Sequence, residues 1–70
     1  MKREILLKFG NKVRGRRLKL GLSQEELSSR AGVHRTYIGM IERAEKNITL
    51  ENIEKIAKAL EISLDNLMKF

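Results

Sequence analysis

The sequence predicts an all-α protein built from five helices. A hydrophobic staple recurs four times along the chain: an apolar residue precedes a helix start and packs against a second apolar residue five positions later. No stretch shows the alternation of apolar and polar residues that marks a strand. The four copies are Leu22–Leu27, Val33–Ile38, Ile48–Ile53 and Ile62–Leu67. Because 70 residues suffice for one small domain, we expect residues 1–70 to fold as a single compact unit.

Residues 3–20 are predicted to form the first helix. Its core-facing positions, at helical spacing, are Phe9, Val13 and Leu20, extended by Ile5 or Leu6. Two internal glycines, Gly10 and Gly15, should each weaken the helix by about 1 kcal/mol relative to Ala. Gly21 is expected to end the helix.

The next two helices are short and are joined by a tight turn. Ser23 begins the second helix as an N-cap, Glu26 completes a capping box, and Gly32 is expected to end the helix in the left-handed conformation. The third helix begins near His34. Its buried face is predicted at Ile38 and Ile41. Two helices so joined form a helix–turn–helix, a motif that places its second helix in the major groove of DNA.

Two more helices are predicted after a polar loop at residues 44–47. Thr49 is the expected N-cap of the fourth helix, and Ser63 is the expected N-cap of the fifth. The apolar stripe of the fourth helix, predicted to be buried, consists of Leu50, Ile53, Ile56, Ala57 and Leu60.

The end of the chain carries more apolar side chains than one small core can use. These residues are Leu64, Leu67, Met68 and Phe70. Because an exposed apolar patch commonly marks an interface, we predict that they form the contact of a homodimer. The alternative is that Leu64 and Leu67 complete the core of one chain while Phe70 is exposed.

The net charge of +6 is concentrated at the start of the chain. Residues 1–19 contain eight basic side chains and one acidic side chain, whereas the rest contain seven basic and eight acidic ones. Such a block favours a polyanion such as nucleic acid, although a solvated helix face would look the same. The chain lacks Cys, a membrane-spanning apolar run and a signal-peptide pattern, so we expect a cytoplasmic protein.

Catalytic and metal-binding constellations find no support in the sequence. His34 is the one histidine, and neither a second ligand nor a nucleophile accompanies it. Glu25 and Glu26 are adjacent and are better explained as first-turn acids that the helix dipole favours. We therefore expect no enzyme activity, catalytic residue, metal, cofactor or small-molecule substrate.

The outer side of the third helix supplies the residues expected to contact base edges. The predicted base-reading residues are Arg35, Thr36, Gly39 and Met40. Arg35 can form a bidentate contact with guanine, and Thr36 can offer its hydroxyl to a base or its methyl group to thymine. Met40 is interpreted as a surface apolar side chain or a thymine contact. Gly39 either lets the backbone approach the groove or is merely tolerated.

Phosphate contacts are expected to flank these residues. Arg43, Lys46 and Asn47 follow the third helix, where the duplex backbone should pass. His34 is interpreted as a helix cap or a residue beside a phosphate. Lys12 and Arg16 are weaker candidates from the first helix.

The whole pattern resembles a known family. The residues that carry the resemblance are Gln24, Leu27, Gly32, Val33, Ile38, Ile41 and Glu42, with Arg17 in the preceding helix. They are similar to the Xre/Cro-repressor family, which implies a lambda-repressor-like DNA-binding fold over about residues 9 to 68. Residues 34–38 and 41–43, with Asn47 and residues 49–50, are more narrowly similar to controller proteins of restriction–modification systems.

The resemblance implies roles for several side chains. It pairs Arg17 with Glu42 as an ion pair that braces the first helix against the third, although Arg17 could also be a surface cation with a packed stem. It places Gln24 on a DNA phosphate. Tyr37 is either a packing aromatic or, as the resemblance implies, a contact to DNA near the backbone or at a deformed step. The family commonly has Gly at position 44, so Ala44 predicts a less sharp end of the third helix.

We interpret the chain as a sequence-specific transcription regulator that binds a palindromic operator in double-stranded DNA as a homodimer. By the resemblance it would regulate its own promoter, in a prokaryotic cytoplasm and at the nucleoid. The alternatives are a phage-type repressor or antitoxin of the same fold, and a protein-interaction module that binds a toxin or transcription factor. The outward Arg35 and Thr36 favour the DNA-binding interpretation.

Overall fold

The computed structural model describes residues 3–70, which form five α-helices and contain no strand. The helices are α1 (Glu4–Lys19), α2 (Gln24–Ala31), α3 (Arg35–Glu42), α4 (Leu50–Ala59) and α5 (Leu64–Leu67). Lys2, part of the predicted basic block, lies outside the described residues. None of these helices has the length and apolar character that crossing a membrane would require. The predicted all-α, five-helix class is confirmed.

Polar side chains define where four of the described helices begin. The N-caps whose side chains accept a backbone N–H are Ser23, His34, Thr49 and Ser63. At the start of α2 the capping box is complete, because the backbone N–H of Ser23 also donates to Glu26 at 2.9 Å. This hydrogen bond lowers the pKa of Glu26. The predicted helix starts therefore have their expected local cause.

Left-handed residues end several helices, and one of them corrects a prediction. Gly21 and Gly32 have φ values of +70° and +71°. Ala44 adopts the same region, with φ +60°, although it carries a side chain. The N–H of Ala44 donates to the carbonyl of Ile41, and the N–H of Glu45 donates to that of Met40 at 2.8 Å. The end of α3 is thus closed by two hydrogen bonds and is not less sharp than a glycine end.

The core lies between the helices: α1 and α2 pack against α3, and α4 packs against α2 and α5. Its buried members are Phe9, Val13, Leu27, Ala31, Ile38, Ile41, Ile53, Ile56, Ala57, Ala59, Leu60 and Leu67. Leu50 was expected among them but is 81% exposed. Leu50 lies on the same side of α4 as Ala57. It is exposed because it occupies the first position of the helix, beyond the end of the core. Of the two alternatives in α1, Ile5 is exposed and Leu6 is partly buried.

The C-terminal segment divides the predicted interface residues into two groups. Leu67 is fully buried in the core of the single chain, so it is not available to a partner and its assignment to an interface is wrong. Leu64, Met68 and Phe70 remain 44%, 40% and 47% exposed. Because α5 is a single turn, one of its residues reaches the core while its neighbours remain on the surface.

The closest approach of α1 to α3 occurs at Gly10. A Cβ atom at this position would lie 2.5 Å from the carbonyl oxygen of Ile41 and 3.0 Å from that of Glu42. Only a residue without a side chain lets the two backbones come so near. The structure therefore assigns Gly10 a packing role that its helix propensity does not reveal, and this contact sets the position of α3.

Candidate nucleic-acid interface

An open concavity lies between the start of α2 and the outer side of α3. Its lining residues are Arg17, Ser23, Gln24, Glu25, Arg35, Thr36, Gly39 and Arg43. The fold thus brings three predicted base-reading residues and two predicted phosphate contacts onto one surface. Met40, His34, Tyr37, Lys46 and Asn47 lie outside this lining.

Arg35 and Thr36 occupy the first turn of α3 and are both exposed. The guanidinium Nη1 of Arg35 lies 3.5 Å from Oε2 of Glu25, which projects from the first turn of α2. Both side chains of this pair are largely in solvent, at 68% and 74% exposure. An ion pair this exposed is weak, and the guanidinium of Arg35 remains accessible from the concavity.

Arg17, which lines the concavity, forms a buried ion pair with Glu42. Arg17 Nε donates to Glu42 Oε2 at 2.7 Å, and its Nη2 donates to Oε1 at 2.9 Å. The side chains are only 10% and 4% exposed. The hydrogen bonds to Glu42 raise the pKa of Arg17. This bidentate pair joins α1 to α3, as the brace inferred from the resemblance would, and excludes the surface-cation alternative for Arg17.

Two further hydrogen bonds complete this network. The Nη1 of Arg17 donates to the carbonyl of Leu22 at 2.9 Å, which ties the pair to the chain just before α2. The side-chain amide of Gln24 donates to Glu42 Oε1 at 3.2 Å. Gln24 is consequently held at the rim of the concavity with its amide nitrogen directed inward, and its carbonyl oxygen lies over α3.

Gly39 is on the predicted side of α3 but is not on the outer surface. It is buried beneath neighbouring side chains. A Cβ atom there would lie 3.0 Å from Nη1 of Arg43 and 3.6 Å from Oε1 of Gln24. The small residue makes room for these two polar side chains, so the expectation that Gly39 lies on the outer surface is wrong.

Tyr37 joins α3 to α4. Its hydroxyl accepts a hydrogen bond from the side-chain amide of Asn52 at 3.0 Å, and its ring packs against the core. The structure therefore supports the packing interpretation of Tyr37.

Asn52 was not predicted from the sequence, because its proximity to Tyr37 depends on how two helices pack and no local motif signals it. Met40, nearby on the outer side of α3, is partly buried.

The residues that flank α3 lie at its two ends. His34 precedes the helix, and its Nδ1 accepts the backbone N–H of Thr36 at 3.0 Å, which matches the cap interpretation. Arg43 follows the helix and forms an ion pair with Glu45 at 3.1 Å. Lys46 and Asn47 are exposed in the loop that leads to α4. Three of the predicted phosphate contacts, Arg43, Lys46 and Asn47, thus follow the C-terminal end of α3, whereas His34 lies at its N-terminal end.

The weaker phosphate candidates in α1 have a different position. Arg16 donates from Nε to the carbonyl of Leu60 at 2.9 Å and from Nη2 to that of Glu61 at 3.0 Å. Lys12 donates to the carbonyl of Lys69 at 3.0 Å. Both side chains bind the C-terminal ends of α4 and α5 rather than lining the concavity, so the suggestion that they contact the same DNA backbone is not supported by their placement.

Comparison with known proteins agrees with this architecture. A family model described as Helix-turn-helix matches residues 13–67. Control protein C.BamHI of Bacillus amyloliquefaciens is 49% identical over 71 aligned positions, which cover 100% of this chain and 88% of that protein. The crystal structure of the restriction–modification controller protein C.AhdI from Aeromonas hydrophila is 45% identical, with a TM-score of 0.87, and the match covers 89% of this chain and 94% of that one.

A second similar structure contains DNA. C.Esp1396I bound to a 19-base-pair DNA duplex is 35% identical, with a TM-score of 0.87, over 93% of this chain and 87% of that one. The fold and the concavity define a helix–turn–helix protein. The chain belongs to the Xre-type helix–turn–helix family of DNA-binding transcription regulators, and it is similar to the restriction–modification controllers in that family.

Proposed function

We propose that this protein is a restriction–modification controller that binds a palindromic operator as a homodimer and regulates its own promoter. In this proposal Arg35 and Thr36 contact base edges in the major groove, while Gln24, Arg43, Lys46 and Asn47 contact the phosphate backbone. It acts in the prokaryotic cytoplasm at the nucleoid, and it acts through binding rather than catalysis.

The observation that carries the proposal is the placement of Arg35. It is exposed in the first turn of α3, and it shares one concavity with Gln24 and Arg43. A guanidinium in the first turn of a recognition helix has the reach and the donor geometry for guanine O6 and N7. The basic side chains beside it supply the non-specific attraction to phosphate that DNA binding needs.

The proposed dimer relies on the exposed apolar side chains at the end of the chain. Leu64, Met68 and Phe70 lie on or just after α5, and a two-fold axis through them would repeat the recognition helix. Two such helices would be expected about 34–36 Å apart, one turn of DNA, which matches two half-sites of a palindrome. Dimerisation would also add apolar burial to a chain whose own core is small.

A selection from a randomised duplex pool, performed at two salt concentrations, tests the proposal. We expect the protein to enrich one inverted-repeat motif at both concentrations, because base contacts persist when phosphate contacts are screened. Binding that shows no enriched motif and disappears at the higher concentration would contradict it. That result would instead favour a protein-interaction module with the same fold.

A further inference from the structure

Arg35, the proposed base-reading residue, forms an ion pair with a glutamate of the neighbouring helix. Glu25 comes from a different helix, and its Oε2 lies 3.5 Å from Nη1 of Arg35. Glu25 also directly follows Gln24, the residue that we place on a phosphate. A negative charge on this concavity repels phosphate and should weaken DNA binding by an otherwise basic protein. The proposed function therefore has to account for Glu25 at this position.

Guanine and phosphate place different demands on Arg35. The O6 and N7 atoms of guanine are neutral acceptors, whereas a phosphate carries a full negative charge. A guanidinium has five N–H donors, so Arg35 can bind guanine with one edge and retain a carboxylate on another. When Arg35 binds a phosphate instead, the phosphate and Glu25 become neighbouring like charges, which is unfavourable.

We propose that Glu25 is a specificity-determining residue that acts through Arg35. It is the counter-ion of Arg35 in the free protein and on the operator, and it penalises complexes in which Arg35 binds a phosphate. The inference rests on the proposed function, because it requires Arg35 to read a base. Glu25 is then a positioning residue: it contacts no base, and it lowers the affinity for non-specific DNA more than the affinity for the operator.

The variant Glu25→Gln tests this role by removing the charge while preserving the size of the side chain. Dissociation constants are measured for the selected operator and for a mixed-sequence duplex of the same length, over a range of salt concentrations. We expect the variant to bind the mixed duplex about two- to fivefold more tightly, the range for an exposed ion pair. The operator affinity should change less, and the salt slope for the mixed duplex should steepen by about one unit.

Glu4→Gln is the matched control. Glu4 also forms an exposed ion pair, with Lys8 at 3.2 Å in α1, so the control removes the same charge and also releases a basic side chain. It should leave the ratio of operator to mixed-duplex affinity unchanged. The second control adds Glu25→Gln to Arg35→Ala. Because Glu25 is proposed to act through Arg35, this addition should not change the ratio of operator to mixed-duplex affinity measured for Arg35→Ala alone.

The outcomes separate this inference from the proposed function. The parent protein shows whether an operator preference exists, which tests the function alone. Given that preference, the role of Glu25 is supported if the ratio falls in Glu25→Gln because the affinity for the mixed duplex rises. The ratio must also stay unchanged in Glu4→Gln and when Glu25→Gln is added to Arg35→Ala. A ratio that stays the same or rises overturns it. A loss of operator affinity alone also overturns it, because the carboxylate would then contact a base itself.

Discussion

Two basic side chains in and after α3 are expected to act on DNA in different ways. We expect Arg35→Ala to weaken binding to the preferred site by about 1–3 kcal/mol and to relax the choice at one base pair, because a bidentate contact to guanine is lost. Lys46→Ala should weaken all sequences alike and reduce the salt slope by about one unit. Titrations against a set of operators with single base-pair changes measure both effects.

The two variants control for each other, since each removes one positive charge from an exposed side chain. If Arg35→Ala leaves every base preference unchanged, α3 does not read sequence through Arg35. The proposed phosphate contact of Lys46, which lies in the loop after α3, would then lose its support as well.

The buried ion pair between Arg17 and Glu42 should contribute to the stability of the fold. We expect Glu42→Ala to lower the free energy of unfolding by about 3–5 kcal/mol, because Arg17 would remain buried without its partner. Gln24 would lose a hydrogen bond as well. Urea unfolding measures the change.

Glu4→Ala is the reference for a solvent-exposed pair, and it should cost less than about 1 kcal/mol. A similarly small loss in Glu42→Ala would mean that water replaces the missing carboxylate. The pair would then not be the structural connection between α1 and α3 that its geometry indicates.

At the scale of whole helices, two glycines in α1 have opposite surroundings. A Cβ at Gly10 would clash with the backbone of α3, whereas a Cβ at Gly15 would have no atom within 4 Å beyond its chain neighbours and the local backbone of α1. We expect Gly10→Ala to destabilise the protein by about 1–3 kcal/mol through the forced shift of α1. Gly15→Ala should instead stabilise it by about 0.5–1 kcal/mol through helix propensity alone.

Thermal or urea unfolding of the two variants gives a matched comparison within one helix. Equal effects of the two substitutions would show that α1 and α3 can separate without cost. Gly10→Ala should also weaken operator binding, since the contact at Gly10 helps to set the position of α3 relative to the rest of the DNA-facing surface.

The exposed apolar side chains of the C-terminal segment are expected to mediate dimerisation. We expect Leu64→Glu combined with Met68→Glu to give a folded monomer that binds a full palindrome far more weakly than the parent, because charges would replace the apolar contact. Both side chains are exposed in the single chain, so its fold should survive. Sedimentation equilibrium measures the association, and the operator titration measures its consequence.

Leu7→Glu combined with Leu18→Glu is the control, because it places two charges on exposed apolar residues of α1. It should remain dimeric. A parent protein that sediments as a monomer at tens of micromolar would contradict the dimer, and a Leu64→Glu, Met68→Glu variant that remains dimeric would contradict this interface.

The local features of this protein could be predicted from the sequence. The caps at Ser23, Thr49 and Ser63, the left-handed Gly32, and the helical apolar stripes involve residues within a few positions of one another. Their physical causes, a hydroxyl that accepts a nearby N–H or a side of a helix that avoids water, act within one turn or one helix. The five-helix class and the exposed Arg35 follow from them.

Features that depend on two distant segments were decided by the tertiary structure. The close approach at Gly10, the Tyr37–Asn52 hydrogen bond and the pairing of Arg35 with Glu25 each join different helices. The periodicity that placed Leu50 on the inner side of α4 also could not show that the core ends before it. Periodicity specifies a direction around one helix, whereas burial and contact depend on how far the neighbouring helices extend and how closely they approach.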